Sequence, residues 1–224
     1  STVDYGLASG QTLKMDIYTP YGDSIIERPV IVFCFGGSFL TGSRTASEIV
    51  AFATNFAQRG YVCASIDYRL ATGGIFSLFQ EENIVKTVFK AVQDGKAAIR
   101  YFRKDAANGN TLGVDSNQIF IGGTSAGGIL GINLAYVDDV DEMPTNWQTW
   151  ADEIGGLEGN SGNPGYCSSP SGVFSFSGAV GDTSYINAND VPYYSCHATE
   201  DQTVLYNYGA PLSGIAPVSL YGSA

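Results

Sequence analysis

The sequence predicts an α/β protein built on a mostly parallel sheet with helices on both faces. Three observations predict it. A fully apolar run of strand length occurs at 30–35 (VIVFCF) and a largely apolar one at 61–66, as expected for strands buried on both faces. Longer segments with apolar residues at helical spacing separate such runs. The two kinds of segment alternate along the chain, which favours parallel strands joined by crossover helices. The length of 224 residues suits one domain spanning 1–224. Hydrophobic residues make up 44% and charged residues 15%, the latter against about 25% in an average soluble protein, so the chain can bury a core and is not disordered. Its 28 Gly and 8 Pro stay below the ~25–30% share of collagen-like or low-complexity chains.

The elements follow in order. Leu13, Met15 and Ile17 alternate with Lys14, Asp16 and Tyr18, a half-buried strand expected to form a hairpin with residues 2–7. The run 30–35 is the first buried strand and ends in Gly36-Gly37. Residues 45–59 place Ile49, Phe52, Ala53, Phe56 and Ala57 at helical spacing, and Gly60 closes that helix. Residues 61–66 are the next strand. Over 82–107, Ile84, Val85, Val88, Phe89, Val92, Ile99 and Phe102 recur at helical spacing, and Asn108-Gly109 stops the pattern. A short strand is expected at 118–121, then a turn of glycines and an apolar helix over 129–137. Residues 138–170, acidic and then rich in Gly, Asn and Ser, are expected to form a long surface excursion. Residues 172–180 and 191–196 are two further strands.

The charge narrows the function classes. Asp and Glu number 22 against 11 Lys and Arg, a formal net charge of −11. Phosphate backbones and anionic lipid surfaces would repel such a chain, which argues against nucleic-acid and membrane-surface roles. No apolar run approaches the ~18 residues of a membrane span. The sequence opens at Ser1 without a leader pattern and reads as a trimmed mature protein. Its acidic, lysine-poor composition favours a secreted or periplasmic setting. Cys34 and Cys63 lie in buried strand-like runs, whereas Cys167 and Cys196 are the pair open to a disulfide. No His/Cys/Asp cluster has metal-ligand spacing, and no cofactor is implied.

Gly123-Thr124-Ser125-Ala126-Gly127 fits the pattern G-x-S-x-G, and its setting matters more than the pattern. It follows a predicted strand and opens a predicted helix. A serine on so tight a turn has its Oγ pushed above the sheet edge, and side chains two residues before and after would collide there. The following helix turns N–H groups toward a reacting carbonyl. Ser125 is thus the candidate nucleophile and the Ala126 N–H half of a candidate oxyanion hole. Phe35-Gly36-Gly37-Ser38-Phe39 is a second glycine corner after a buried strand, where backbone N–H groups meet no Cβ obstruction.

Together these segments resemble the α/β-hydrolase superfamily. The likeness is greatest to carboxylesterases with an HGGG-type oxyanion loop, a group that includes hormone-sensitive-lipase-like enzymes and feruloyl and acetyl-xylan esterases. The matching pieces are RPVIVFCFGGSFLTGS at 28–43, GYVCASIDYRLA at 60–71, AVQDGKAAIRYFRKDA at 91–106, IFIGGTSAGG at 119–128 and CHATEDQTV at 196–204. The resemblance implies that the Gly37 and Ser38 N–H groups join that of Ala126 in the oxyanion hole. The chain departs from the pattern at Phe35, where these enzymes usually carry a His that braces the loop. The resemblance also implies that Asp67 and Arg69 form a structural ion pair near the site.

In this fold the triad acid sits on a turn after a late strand, following the nucleophile in sequence. Asp201 fits and matches the family position, with Glu200 and Asp182 as rivals. Its task would be to orient an imidazole and stabilise the imidazolium. A serine hydroxyl also needs a general base. The single histidine, His197, precedes Asp201 by four residues and occupies the place of a non-catalytic family residue. Three readings follow: a chain that continues beyond residue 224 with a last strand, a His and a last helix; His197 as an unusual base; or an inactive binding protein on the same fold. The first is preferred, because the sheet would otherwise stop at an apolar edge. The expected activity is hydrolysis of a small-molecule or carbohydrate-linked ester through an acyl-serine. Residues 72–83 and 138–170 are expected to shape the substrate pockets, with Phe76, Phe79, Trp147 and Trp150 as candidate lining.

Overall fold

A computed structural model describes residues 1–22 and 25–222, without the side chain of Ser213. Strands β1 (Thr2–Ala8) and β2 (Gln11–Tyr18) form the expected antiparallel hairpin. Ser9 and Gly10 both take positive φ at its turn, 51° and 78°, the twist that a tight hairpin prefers. Strand β2 then pairs antiparallel with β4 (Val62–Ile66). From there the sheet is parallel, through β3 (Arg28–Cys34), β5 (Val114–Thr124), β6 (Gly172–Phe176) and β7 (Tyr193–Cys196). The seven strands lie in the order β1-β2-β4-β3-β5-β6-β7.

Register explains the two layers of helices. Phe33, Gly122, Phe174 and Tyr194 are aligned across β3, β5, β6 and β7. Phe33 meets Phe52 and Phe56 of α1 (Ser47–Ala57), so this row faces α1. The neighbouring row, Val32, Ile121 and Val173, faces the opposite way by alternation. There it meets α2 (Glu81–Ala107) and α3 (Ala126–Tyr136), where Leu130 and Leu134 of α3 pack at Gly95 of α2 beside Ile121. On the α1 side a groove lined by Phe33, Phe120, Phe174, Phe176 and Tyr194 stays open, and Tyr194 of the edge strand is 63% exposed.

Three sequence expectations are corrected. Strand β5 begins at Val114, earlier than 118, because Arg28 pairs with Val114 across a register shift that the polar residues 115–118 conceal. Strand β6 stops at Phe176. Ser177 turns with φ 54°, and Val180 instead bridges Tyr221. The excursion 138–170 contains a helix, α4 (Thr145–Glu153), whose Trp147, Trp150 and Ala151 at i, i+3 and i+4 gave a readable signal. Its later part is tied down onto the body of the protein: Glu158 takes Lys96 at 2.6 Å and Arg100 at 3.0 Å, and the Ser161 carbonyl accepts the Leu7 N–H at 2.8 Å. Separately, Cys34, Cys63, Cys167 and Cys196 are all free thiols, and the pair that the sequence left open to a disulfide, Cys167 and Cys196, is not joined.

Asp67 and Arg69 do not pair with one another, contrary to expectation. Asp67 binds Arg44, at 2.6 Å between Oδ2 and Nη1. Arg69 reaches the fully buried Asp94 of α2 at 2.8 Å, and the Ser161 hydroxyl also donates to that carboxylate, at 2.6 Å. Removing one partner of such a pair strands a charge in the core. Asp94→Ala is expected to cost about 3–5 kcal/mol, read as a lower midpoint in urea unfolding.

Candidate active site

The geometry begins where strands β3 and β5 end side by side. Cys34 pairs with Gly123, so the two chain exits are neighbours. A methyl built on Gly123 would lie 1.8 Å from the Cys34 carbonyl oxygen, and one on Gly127 would lie 2.1 Å from it. No side chain survives such distances, so both outer positions of G-x-S-x-G must be glycine. Between them Ser125 takes φ 53° and ψ −116°, a left-handed conformation that L-residues avoid. Two bonds hold it there: its N–H donates to the Phe176 carbonyl at 2.8 Å, and its carbonyl accepts the Ile129 N–H at 2.9 Å. Helix α3 begins at the next residue, Ala126.

The glycine corner after β3 abuts this turn. A methyl built on Gly36 would stand 3.4 Å from the Ser125 Cβ. The corner is pinned by Leu40 and Thr41, whose N–H groups donate to the Gly37 carbonyl at 2.9 and 3.2 Å. Among the described residues, no hydrogen bond occupies the N–H groups of Gly37, Ser38 or Ala126. Ser38, Ser125 and Ala126 line one cavity, which Gly37 does not. Phe35, in place of the expected His, stacks on Tyr68 with ring centroids 4.2 Å apart, and its carbonyl accepts the Tyr68 hydroxyl at 2.6 Å.

The cavity has a volume of about 80 Å³. Leu78, Val85, Val88, Phe89, Ile129 and Trp147 of α4 are among the side chains that line it. Among the described residues, no Asp, Glu, Lys or Arg lines it. Of the four aromatic candidates only Trp147 is part of the wall; Phe76, Phe79 and Trp150 are not. Sequence reasoning missed Val204, Pro211, Leu212, Val218 and Leu220, which close the cavity from the chain's last stretch. That stretch carries only a single-turn helix, α5 (Pro211–Gly214), and a two-residue pairing of β8 (Tyr208–Gly209) with β9 (Leu220–Tyr221), and neither leaves a periodic pattern to read.

Asp201 lies on the turn after β7, next to the cavity residues Thr203 and Val204. Its Oδ1 accepts the N–H groups of those two residues at 2.8 and 3.0 Å. Burial pushes its carboxyl up, but these bonds, the Ser177 hydroxyl and the His197 ring outweigh it and hold it below the ordinary carboxylate value. Of the rivals, Glu200 is exposed, and Asp182 caps a short turn by accepting the Ser184 N–H at 2.9 Å. His197 does not line the cavity. Its Nδ1 faces the Gly222 carbonyl at 3.0 Å and its Nε2 the Val204 carbonyl at 2.8 Å, with Asp201 Oδ2 3.6 Å away. Among the described residues no group of three or more His, Cys, Asp or Glu side chains could hold a metal ion, and no helix is long and apolar enough to cross a membrane.

The BD-FAE family matches residues 15–156, which is more than half of the chain and includes both glycine corners. The chain belongs to the BD-FAE family. This family member is 33% identical to esterase LipC of Mycobacterium tuberculosis over 135 residues, 58% of the chain and 30% of that protein. It is 34% identical to phenmedipham hydrolase of Pseudarthrobacter oxydans over 117 residues, 51% of the chain and 21% of that protein. The chain thus spans less than a third of the curated relatives it matches. Esterase 2 of Thermogutta terrifontis, phosphorylated by paraoxon, superposes with a TM-score of 0.71 at 27% identity, covering 92% of this chain and 73% of that one. The α/β-hydrolase fold expected from the sequence is the fold of this protein.

A pH prediction follows from Asp201. Its folded-state value lies below the ordinary ~4 of a free carboxyl. Its contribution to stability is therefore complete above about pH 4 and is lost as pH falls through the folded value. Asp201→Ala is expected to lower the melting temperature at pH 7, with the gap to the parent protein narrowing as pH falls below about 4.

Proposed function

We propose that this BD-FAE member hydrolyses carboxylic esters through an acyl-serine intermediate. The observation that carries the reading is the strained Ser125 sharing a cavity wall with Ser38 and Ala126, whose N–H groups are free to donate. Ser125 Oγ attacks the acyl carbon, and the carbonyl π electrons move onto oxygen. That oxyanion receives hydrogen bonds from the N–H of Ala126 and from the Gly37/Ser38 corner. A base takes the Oγ proton and returns it to the leaving alkoxide, which departs as the alcohol. Water repeats the sequence on the acyl-serine and releases the acid. Asp201 orients the base. His197 has both nitrogens against carbonyls and is absent from the wall, so the base in this reading comes from outside these 224 residues. The same observation about His197 favours, as a second reading, a binding protein without turnover.

The likeness to an esterase phosphorylated by paraoxon supplies the test. The natural full-length protein is expected to take up one phosphoryl group from paraoxon and to turn over p-nitrophenyl acetate. Ser125→Ala is expected to lose both, read by intact mass and by released p-nitrophenol. An unlabelled, inactive wild type supports the binding protein.

The substrates we propose are uncharged small-molecule or carbohydrate-linked esters, met in a secreted or periplasmic setting, which the acidic composition favours. An uncharged acyl group suits a cavity that no charged side chain lines among the described residues. Trp147 bounds that space and is held by its Nε1 on Glu81 at 2.7 Å. Trp147→Ala is expected to raise kcat/KM for p-nitrophenyl hexanoate relative to the acetate by about tenfold, within the range that pocket methylenes command.

A further inference from the structure

We propose that Tyr68 is a positioning residue that sets the donors of the glycine corner, an inference that rests on the esterase reading. Tyr68 follows β4, and its side chain is almost wholly buried behind residues 35–39. Its hydroxyl donates to the Phe35 carbonyl at 2.6 Å. That carbonyl oxygen lies at the junction of the two corners, 2.7 Å from where a methyl on Gly127 would stand. The Tyr68 ring lies flat on Phe35, with an interplanar angle of 14°, and meets the Phe39 ring edge-on at 6.0 Å. A second tether follows three residues on, where the Ala71 N–H donates to the Phe39 carbonyl at 2.7 Å. Residues 36–38 are thus held at both ends by the segment 68–71.

That segment is itself immobilised. The Arg69 N–H donates to Asp94 Oδ2 at 2.8 Å, and the Arg69 guanidinium reaches Asp94, Gln93, Ser161 and the Lys90 carbonyl. The constraint runs from the buried carboxylate of α2 through Arg69 and Tyr68 to the carbonyl preceding Gly36. It acts on a strained stretch, since Ser38 and Phe39 both adopt positive φ, 55° and 57°. Such a conformation persists only where its surroundings over-determine it. Burial also pushes the Tyr68 phenol well above its ordinary value, so the hydroxyl keeps its proton and remains a donor.

Tyr68→Phe in the natural full-length protein removes the donor and keeps the ring. The expected result is a fall in kcat for p-nitrophenyl acetate of about tenfold with KM within about twofold. That loss is smaller than the 10²–10³ seen when an oxyanion donor is deleted, because the donors are displaced and not removed. Phosphorylation by paraoxon should slow by a similar factor, and amide hydrogen exchange at residues 37–41 should speed up. A variant that melts earlier but keeps kcat and loop exchange overturns the proposal, since Tyr68 would then be packing alone. Should Tyr68→Phe fail to fold, 3-fluorotyrosine placed at 68 keeps the shape and strengthens the donor, and an unchanged kcat there overturns it equally. A wild type that neither turns over ester nor takes up paraoxon removes the esterase reading and this proposal together. An active wild type with unchanged Tyr68→Phe kcat removes this proposal alone.

Discussion

Strands β3 and β5 run parallel and end together, and the Cys34 carbonyl presses into the turn that leaves β5. This approach is closer than any side chain at 123 or 127 would permit. It forces the chain through a left-handed Ser125 and straight into α3. It also fixes where the chain leaves β3, so the glycine corner arrives beside the serine. The Ser125 hydroxyl and two sets of uncommitted N–H groups meet because two carbonyl-lined strand ends have no room to do otherwise. The strain at Ser125, Ser38 and Phe39 is sustained by the parallel sheet beneath and by hydrogen bonds to Phe176, Ile129 and Ala71.

The rest of the molecule keeps that junction rigid. Helix α2 runs for 27 residues across the face opposite α1. It carries charges that a core helix ordinarily excludes, and each has a partner. Asp94 holds Arg69, while Lys96 and Arg100 share Glu158. The loop after α4 is thereby drawn onto the helix, and through Ser161 onto both the Arg69–Asp94 pair and β1. Of these ion pairs only Arg69–Asp94 is buried, and losing either partner would strand a charge in the core. That pair fixes the segment 68–71, on which the glycine corner leans. The cavity beside Ser125 owes its apolar lining to the first turns of α2, to Trp147 and to the last stretch of chain folded across them.

Much of this was legible in the sequence, for stated reasons. Apolar runs such as 30–35 read as buried parallel strands because both their faces are covered. Helix α2 was evident because Ile84, Val85, Val88 and Phe89 keep one period over many turns. G-x-S-x-G named Ser125 because steric exclusion at its outer glycines is a local property. What escaped was non-local. The start of β5 at Val114 depends on pairing with Arg28, and residues 115–118 look like a turn in isolation. The partners of Asp67 and Arg69 lie 23 and 25 residues away in the chain, so adjacency suggested a pairing the fold does not make. The brace behind Phe35 involves a tyrosine 33 residues on, and its sequence carries no sign of that contact. The cavity wall from 204 to 220 comes from short irregular pieces whose packing no periodicity announces.

The most direct test of the central claim is a crystal structure of the natural full-length protein after reaction with paraoxon. The account predicts phosphorus bonded to Ser125 Oγ, with one phosphoryl oxygen within about 3.1 Å of the Ala126 nitrogen and of a nitrogen in the Gly37/Ser38 corner. An adduct on another residue, or a phosphoryl oxygen beyond hydrogen-bond reach of both corners, would contradict it.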